Sequence, residues 1–205
     1  MNHAEVAALP GARRHGNVAA APLMAEGALP GPVLVAVRRF SDNRGSFSET
    51  WSRRDFAGVG LADDFVQDNQ SHSAPAGTLR GLHFQKPPES QAKLVRCLRG
   101  RILDVAVDLR RSSASYGRHV AVELSAADGT MLYVPEGFAH GFLTLEPDCE
   151  VAYKTSRFYA PDCDAGVAWN DPDLAVPWPI AAAAVVLSDK DARLPPLSAL
   201  GEVFP

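Results

Sequence analysis

The sequence predicts an all-β sandwich or barrel, and three observations carry that expectation. Between residues 93 and 155, short stretches rich in β-branched and apolar residues recur at a spacing of about ten residues. Turn chemistry separates each from the next, and no strand–helix–strand alternation appears, so a parallel dinucleotide-binding sheet is not expected. The chain also carries 16 Gly and 16 Pro in 205 residues, a density that favours short strands and turns over long helices. With 46% hydrophobic and 21% charged residues, it has the material for a substantial core.

In chain order, residues 1–30 are rich in Ala, Gly and Pro without an amphipathic period, and a flexible tail is expected. Arg13-Arg14 followed by the apolar run from Val18 to Met24 has the outline of an export signal, but the run is short and Pro22 and Glu26 interrupt it. Residues 33–37 are a β-branched run and read as a strand. Asp42-Asn43-Arg44-Gly45 is a turn, residues 46–51 alternate, and residues 54–59 suit a short helix. Residues 65–69 read as a strand with a polar end, followed by a loop at Ala74-Pro75-Ala76-Gly77.

Strands are then expected at 93–98, 101–109, 119–124, 131–134, 141–145 and 150–155. In the second of these, Leu103, Val105, Val107 and Leu109 share one face, and Asp104 and Asp108 share the other. Beyond Trp169, five prolines break up the chain at Pro172, Pro177, Pro179, Pro195 and Pro196. A wrapping C-terminal segment with a helical turn at 181–184 is expected there, so residues 31–205 form one domain.

Charge and cysteine usage exclude several classes. Twenty Lys and Arg against 24 Asp and Glu leave a net charge of −4, which argues against a nucleic-acid-binding surface. No apolar stretch approaches the roughly 20 residues of a membrane-spanning helix. Cys97, Cys149 and Cys163 include no Cys-x-x-Cys pair, and read as thiols in a reducing, cytoplasmic compartment.

Two stretches carry candidate chemistry. In Gly129-x5-Pro135-x-Gly137-x2-His140, a Pro-x-Gly turn between strands sets His140 at the start of the second strand, where a barrel would turn it inward. This spacing is similar to the second motif of the cupin superfamily, with Thr144 standing where an Asn is usual. In Leu79-Arg80-Gly81-Leu82-His83-Phe84-Gln85, the His-x-His of a metal-binding cupin is missing, and the nearest carboxylate is Glu89 in a Pro-rich loop. One histidine at each place suits general acid–base chemistry better than metal ligation, so no metal is expected.

A linked series extends these two stretches: Asp42-Asn-Arg-Gly, Phe65-Val-Gln-Asp-Asn, Leu79-Arg-Gly-Leu-His-Phe-Gln, Lys93-Leu-Val-Arg-Cys, Asp104-Val-Ala-Val-Asp-Leu-Arg, Val134-Pro-Glu-Gly-Phe-Ala-His-Gly-Phe, Tyr153-Lys-Thr and Trp169-Asn-Asp-Pro. In this order, over roughly residues 33–200, they resemble the dTDP-4-dehydrorhamnose 3,5-epimerase family of nucleotide-sugar enzymes. The resemblance implies an antiparallel jelly-roll, cupin-like β-barrel with a few short peripheral helices. It also implies a homodimer that exchanges N-terminal strands, and a dTDP-4-keto-6-deoxyhexose substrate.

By the same resemblance, His83 is the base and Asp191 its carboxylate partner, with Asp189 competing for that place. Lys93 lies near the C4 oxygen, and Tyr153 is the acid on the other face. Arg44, Phe47 and Glu49 lie on the segment that crosses to the partner subunit. Gln67, Asp68 and Asn69 line one side, Arg80 suits the diphosphate, and His140 sits by the sugar. Asp164 and Lys190 match contacts near the nucleotide. Phe47 and Phe158 offer apolar faces, and Phe158 departs from the tyrosine expected at its position. The implied chemistry needs neither metal nor cofactor, because the C4 ketone acidifies the neighbouring C–H bonds. Three alternatives stay open: an epimerase acting at one carbon only, a metal-dependent cupin oxygenase, and a non-catalytic sugar-binding cupin.

Overall fold

The computed structural model describes residues 3–5, 9–24 and 31–205. The N-terminal part carries β1 (His3–Glu5), β2 (Arg13–His15), β3 (Val18–Pro22), β4 (Val33–Val37), β5 (Arg39–Asp42) and β6 (Gly45–Phe47), then helix α1 (Arg53–Gly58). Next come β7 (Gln67–Ser73), β8 (Leu79–Gln85), β9 (Lys93–Arg99), β10 (Arg101–Asp108) and β11 (His119–Ser125). The last strands are β12 (Met131–Val134), β13 (Phe138–Thr144), β14 (Cys149–Thr155) and β15 (Asp164–Gly166). They form a seven-stranded sheet, β2-β3-β4-β12-β9-β14-β7, and a five-stranded sheet, β11-β10-β13-β8-β15. A small third sheet has the order β1-β5-β6. Every paired strand runs antiparallel to its neighbour. This is the jelly-roll barrel that the sequence predicts.

The two large sheets close over an inner core in which Val95, Leu132, Val134 and Val151 meet Ile102, Leu124, Phe138 and Phe142. Each outer face is covered as well. Phe56 of α1, with Val59 and Leu61 just beyond the helix, packs onto Val35, Leu94 and Met131 of the seven-stranded sheet. Leu174, Leu197 and Phe204 of the C-terminal segment pack onto Leu82, Phe84, Val105 and Val107 of the five-stranded sheet. Fully burying one such side chain is worth about 2–3 kcal/mol, so the segment after β15 is bound over its length.

This cover explains β10. The apolar face formed by Val105, Val107 and Leu109 points outward beneath the C-terminal segment, and Asp104 on the opposite face points into the barrel, fully buried. Arg53–Gly58 is helical and Ala182–Ala184 is a 3-10 turn, each within a residue of expectation. β13 begins at Phe138, three residues before the expected start, and β8 adds a strand that the spacing argument does not include.

The N-terminal expectation needs correction. Within the supposed tail, residues 13–15 and 18–22 are strands, and Val18, Ala19 and Ala20 are buried. The low β-propensity of alanine hides β3 in the sequence. A five-pair ladder from Val18↔Val37 to Pro22↔Val33 overrides it. Residues 1, 2, 6–8 and 25–30 of that segment lie outside the described residues.

Candidate active site

The site is built where β8 and β13 approach each other closely. Gly81 has φ +131°, and a Cβ there would stand 2.6 Å from the Cα of Gly141, so no other residue fits the close approach. The ladder pairs His140 with His83 and Phe142 with Arg80, and its register shifts between them. Strict alternation would put Arg80 and His83, three residues apart, on opposite faces. The irregularity turns both toward one cavity, while Leu82 and Phe84 pack outward.

That cavity has a volume of about 400 Å³ and is lined by Arg80, His83, Lys93, His140, Tyr153 and Asp191 among others. A second chamber of about 370 Å³ shares His83, Lys93, Tyr153 and Lys190, and adds Gln67, Asn69 and Asp164. The four shared side chains stand at the junction of the two.

His83 Nε2 lies 2.5 Å from Asp191 Oδ1. Asp191 is 5% exposed, whereas Asp189 is exposed and lines neither chamber. Burial by itself raises the Asp191 carboxyl. The hydrogen bond and charge of His83, the Ser188 hydroxyl and the Gly81 backbone outweigh it and hold the group below the usual carboxylate range. A carboxylate on one imidazole nitrogen fixes the tautomer and leaves the other nitrogen as a base.

Lys93 is 9% exposed, and its Nζ donates to the His83 carbonyl at 3.3 Å. Desolvation pushes its ammonium down to about 8, against the pull of Asp104 and Asp164. Tyr153, on β14, is raised by burial and lowered by Arg80, with burial prevailing, so it stays a phenol through neutral pH. His140 Nε2 lies 2.5 Å from Asp104 Oδ1, a second His–Asp pair that is more deeply buried than the first. Arg80 is held by the Ser73 hydroxyl at 3.1 Å and the His72 carbonyl at 2.9 Å.

Other expected residues divide by position. Gln67 Nε2 donates to Asn69 Oδ1 at 2.9 Å, and both face the second chamber. Asp164 ion-pairs with Lys190 and accepts a bond from the Tyr159 hydroxyl at 3.1 Å. Asp68 was expected beside Gln67 and Asn69, but strand alternation turns it to the outer face of β7, where Lys154 pairs with it at 2.8 Å. Arg44 pairs with Asp42 at 2.6 Å on the exposed β5–β6 hairpin. Neither Arg44, Phe47, Glu49 nor Phe158 lines either chamber within a single chain, and Phe47 and Phe158 are 69% and 68% exposed.

The sequence reading missed Phe142, Ser71, Ser188 and Tyr159, which line the chambers. Alternation along β7 would have found Ser71, two residues beyond Asn69 on the same face. Among the described residues, no group of three or more His, Cys, Asp or Glu is placed to hold a metal ion, and no helix is long and apolar enough to cross a membrane.

A cupin-like barrel with a His–Asp pair, a lysine and a tyrosine around one cavity belongs to the class of jelly-roll sugar epimerases. A family model described as dTDP-4-dehydrorhamnose 3,5-epimerase matches residues 26–199, and the chain belongs to that family. It is 48% identical over 175 residues to a dTDP-4-dehydrorhamnose 3,5-epimerase of Sinorhizobium fredii, covering 83% of this chain and 87% of the relative. The crystal structure of a dTDP-4-dehydrorhamnose 3,5-epimerase from Bacillus anthracis, with TDP and PPi bound, is similar at TM-score 0.79 and 47% identity. That match covers 80% of this chain and 93% of the solved one. A dTDP-6-deoxy-D-glucose-3,5-epimerase from Legionella pneumophila, in complex with dTDP-4-keto-L-rhamnose, is similar at TM-score 0.82 and 36% identity, covering 92% and 97%.

Proposed function

We propose that this protein converts dTDP-4-dehydro-6-deoxy-D-glucose to dTDP-4-dehydro-L-rhamnose by inverting C3 and C5, in the synthesis of dTDP-L-rhamnose. The observation that carries this reading is the convergence of the His83–Asp191 pair, Lys93 and Tyr153 on one cavity. The ring nitrogen of His83 that is not engaged by Asp191 takes the proton from the carbon next to the C4 ketone. The electron pair left behind moves onto the C4 oxygen as an enolate, and the Lys93 cation lowers its energy. Tyr153 returns a proton to the opposite face of that carbon, the enolate collapses to the ketone, and the phenolate and the imidazolium are reset by solvent. Repeating the cycle at the second carbon completes the reaction, and no step calls for a metal or a cofactor.

Arg80 and Lys190 supply positive charge for the diphosphate, with Gln67, Asn69, His140 and Asp164 around the sugar and nucleotide. The exposed hairpin bearing Arg44 and Phe47, with Glu49 just beyond it, supports a homodimer with exchanged N-terminal strands, in which these side chains reach the partner's site; the proposed place of action is the cytoplasm. Proton NMR of dTDP-4-keto-6-deoxyglucose with the protein in D₂O tests the reading. Deuterium at both C3 and C5 is expected. Deuterium at one carbon selects a single-site epimerase, and bound substrate without exchange removes the proposed activity.

A further inference from the structure

Two buried charges inside the barrel are each incompletely satisfied. Asp104 is fully buried; His140 engages its Oδ1, and its Oδ2 has no hydrogen-bond partner among the described residues. An ionised carboxylate with an unused oxygen in such a place is costly unless a cation lies nearby. Lys93 is almost as buried, and its ammonium bonds a neutral carbonyl, that of His83. The strand register brings the two together. Lys93 reaches the backbone of His83, Asp104 is held by the side chain of His140, and His83 and His140 are direct partners across β8 and β13.

The charged and titratable groups around Lys93 come from every neighbouring element. They are His83 on β8, Asp104 on β10, His140 on β13, Tyr153 on β14, Asp164 on β15, and Lys190 and Asp191 after it. Asp191 is occupied by His83, and Asp164 is occupied by Lys190 and Tyr159. Asp104 is the anion that retains a free oxygen. It is also the strongest influence opposing the desolvation of Lys93.

We propose that Asp104 is a positioning residue that acts through Lys93: it is the buried counter-charge that keeps the Lys93 ammonium protonated, and His140 holds its carboxylate in orientation. The kinetic consequence rests on the reading of Lys93 as the enolate-stabilising cation; the coupling between the two residues does not.

The test is a ¹³C NMR titration of protein labelled at lysine Cε, with Lys93 assigned by the loss of its signal in Lys93→Arg. In the wild type Lys93 is expected to titrate near 8. In Asp104→Asn its midpoint is expected to fall by about one pH unit or more. The alkaline limb of deuterium exchange should move down with it. An unchanged Lys93 midpoint overturns the proposal. A midpoint that moves while the limb stays fixed supports the coupling and removes Lys93 from its proposed catalytic part. If Asp104→Asn does not fold, the same lysine titration is made on Asp104→Ser, a smaller neutral replacement. The Lys93 midpoint is again expected to fall by about one pH unit or more. An unchanged midpoint there overturns the proposal.

Discussion

His83 and Asp191 lie 108 positions apart in the chain, and their Nε2 and Oδ1 atoms lie 2.5 Å apart. One comes from β8, next to the edge strand of the five-stranded sheet, and the other from the segment that covers the sheet's outer face. The base and the group that orients it are therefore supplied by separate layers of the molecule.

Asp191→Asn keeps the shape of that contact and removes its charge. Exchange of the C3 and C5 protons should fall by about 10³–10⁴ in kcat, as expected when a catalytic imidazole loses its orienting carboxylate. Binding of dTDP, read by calorimetry, should stay near the wild-type value. Asp189→Asn should leave both unchanged, since Asp189 is exposed and lines neither chamber. Near-normal turnover in Asp191→Asn would mean that His83 needs no carboxylate partner.

Tyr153→Phe separates the two proton transfers. Loss of substrate deuterium to solvent, which reports abstraction, should be reduced far less than the formation of inverted product. Equal loss of both would make Tyr153 a positioning residue.

Lys93 makes stability and activity run in opposite directions with pH. Folded, it loses its proton near 8; unfolded, near 10.5. Between these values the unfolded chain holds the extra proton, so the contribution of this residue to stability rises with pH across the window. Urea denaturation of the wild type and Lys93→Met should show the difference moving in favour of the wild type from pH 8 to 10.5, by an amount on the order of 3 kcal/mol. Over the same range kcat/KM should fall as the cation is lost. A stability difference that stays flat across the window would contradict the depressed ionisation.

Gly81→Ala should be among the most damaging small substitutions. Its Cβ would meet the Cα of Gly141 at 2.6 Å, and φ +131° is foreign to alanine. A loss of about 3 kcal/mol in unfolding free energy is expected, together with activity, because β8 must move away from β13. A loss under about 0.5 kcal/mol would show that the two strands separate freely.

Much of this architecture can be read in the sequence, for physical reasons that also set the limits. The strands from β9 to β14 announce themselves because β-branched runs and Gly-containing turns coincide there. β3 does not, because Ala19, Ala20 and Pro22 have little intrinsic preference for a sheet and are held by pairing with β4. The alternation on β10 was legible, but not which face is interior: both are buried, one by the opposite sheet and one by the C-terminal segment. Within the site, His83, Asp191, Lys93 and Tyr153 were reached through resemblance to a family, and the fold gathers them around one cavity. Asp68 went astray because a motif lists neighbours in sequence, while a strand sends them to opposite faces. The convergence of Arg80 and His83 depends on a register shift that no local pattern announces.

The covering segment also has a consequence in time. Asp191 and Lys190 follow the last strand, which ends at Gly166. Made from the N-terminus, the chain contains every strand of both sheets before it contains the dyad's carboxylate. A chain lacking that segment would have no carboxylate to orient the imidazole of His83. Catalytic competence is thus acquired only once the segment has folded back over the sheet.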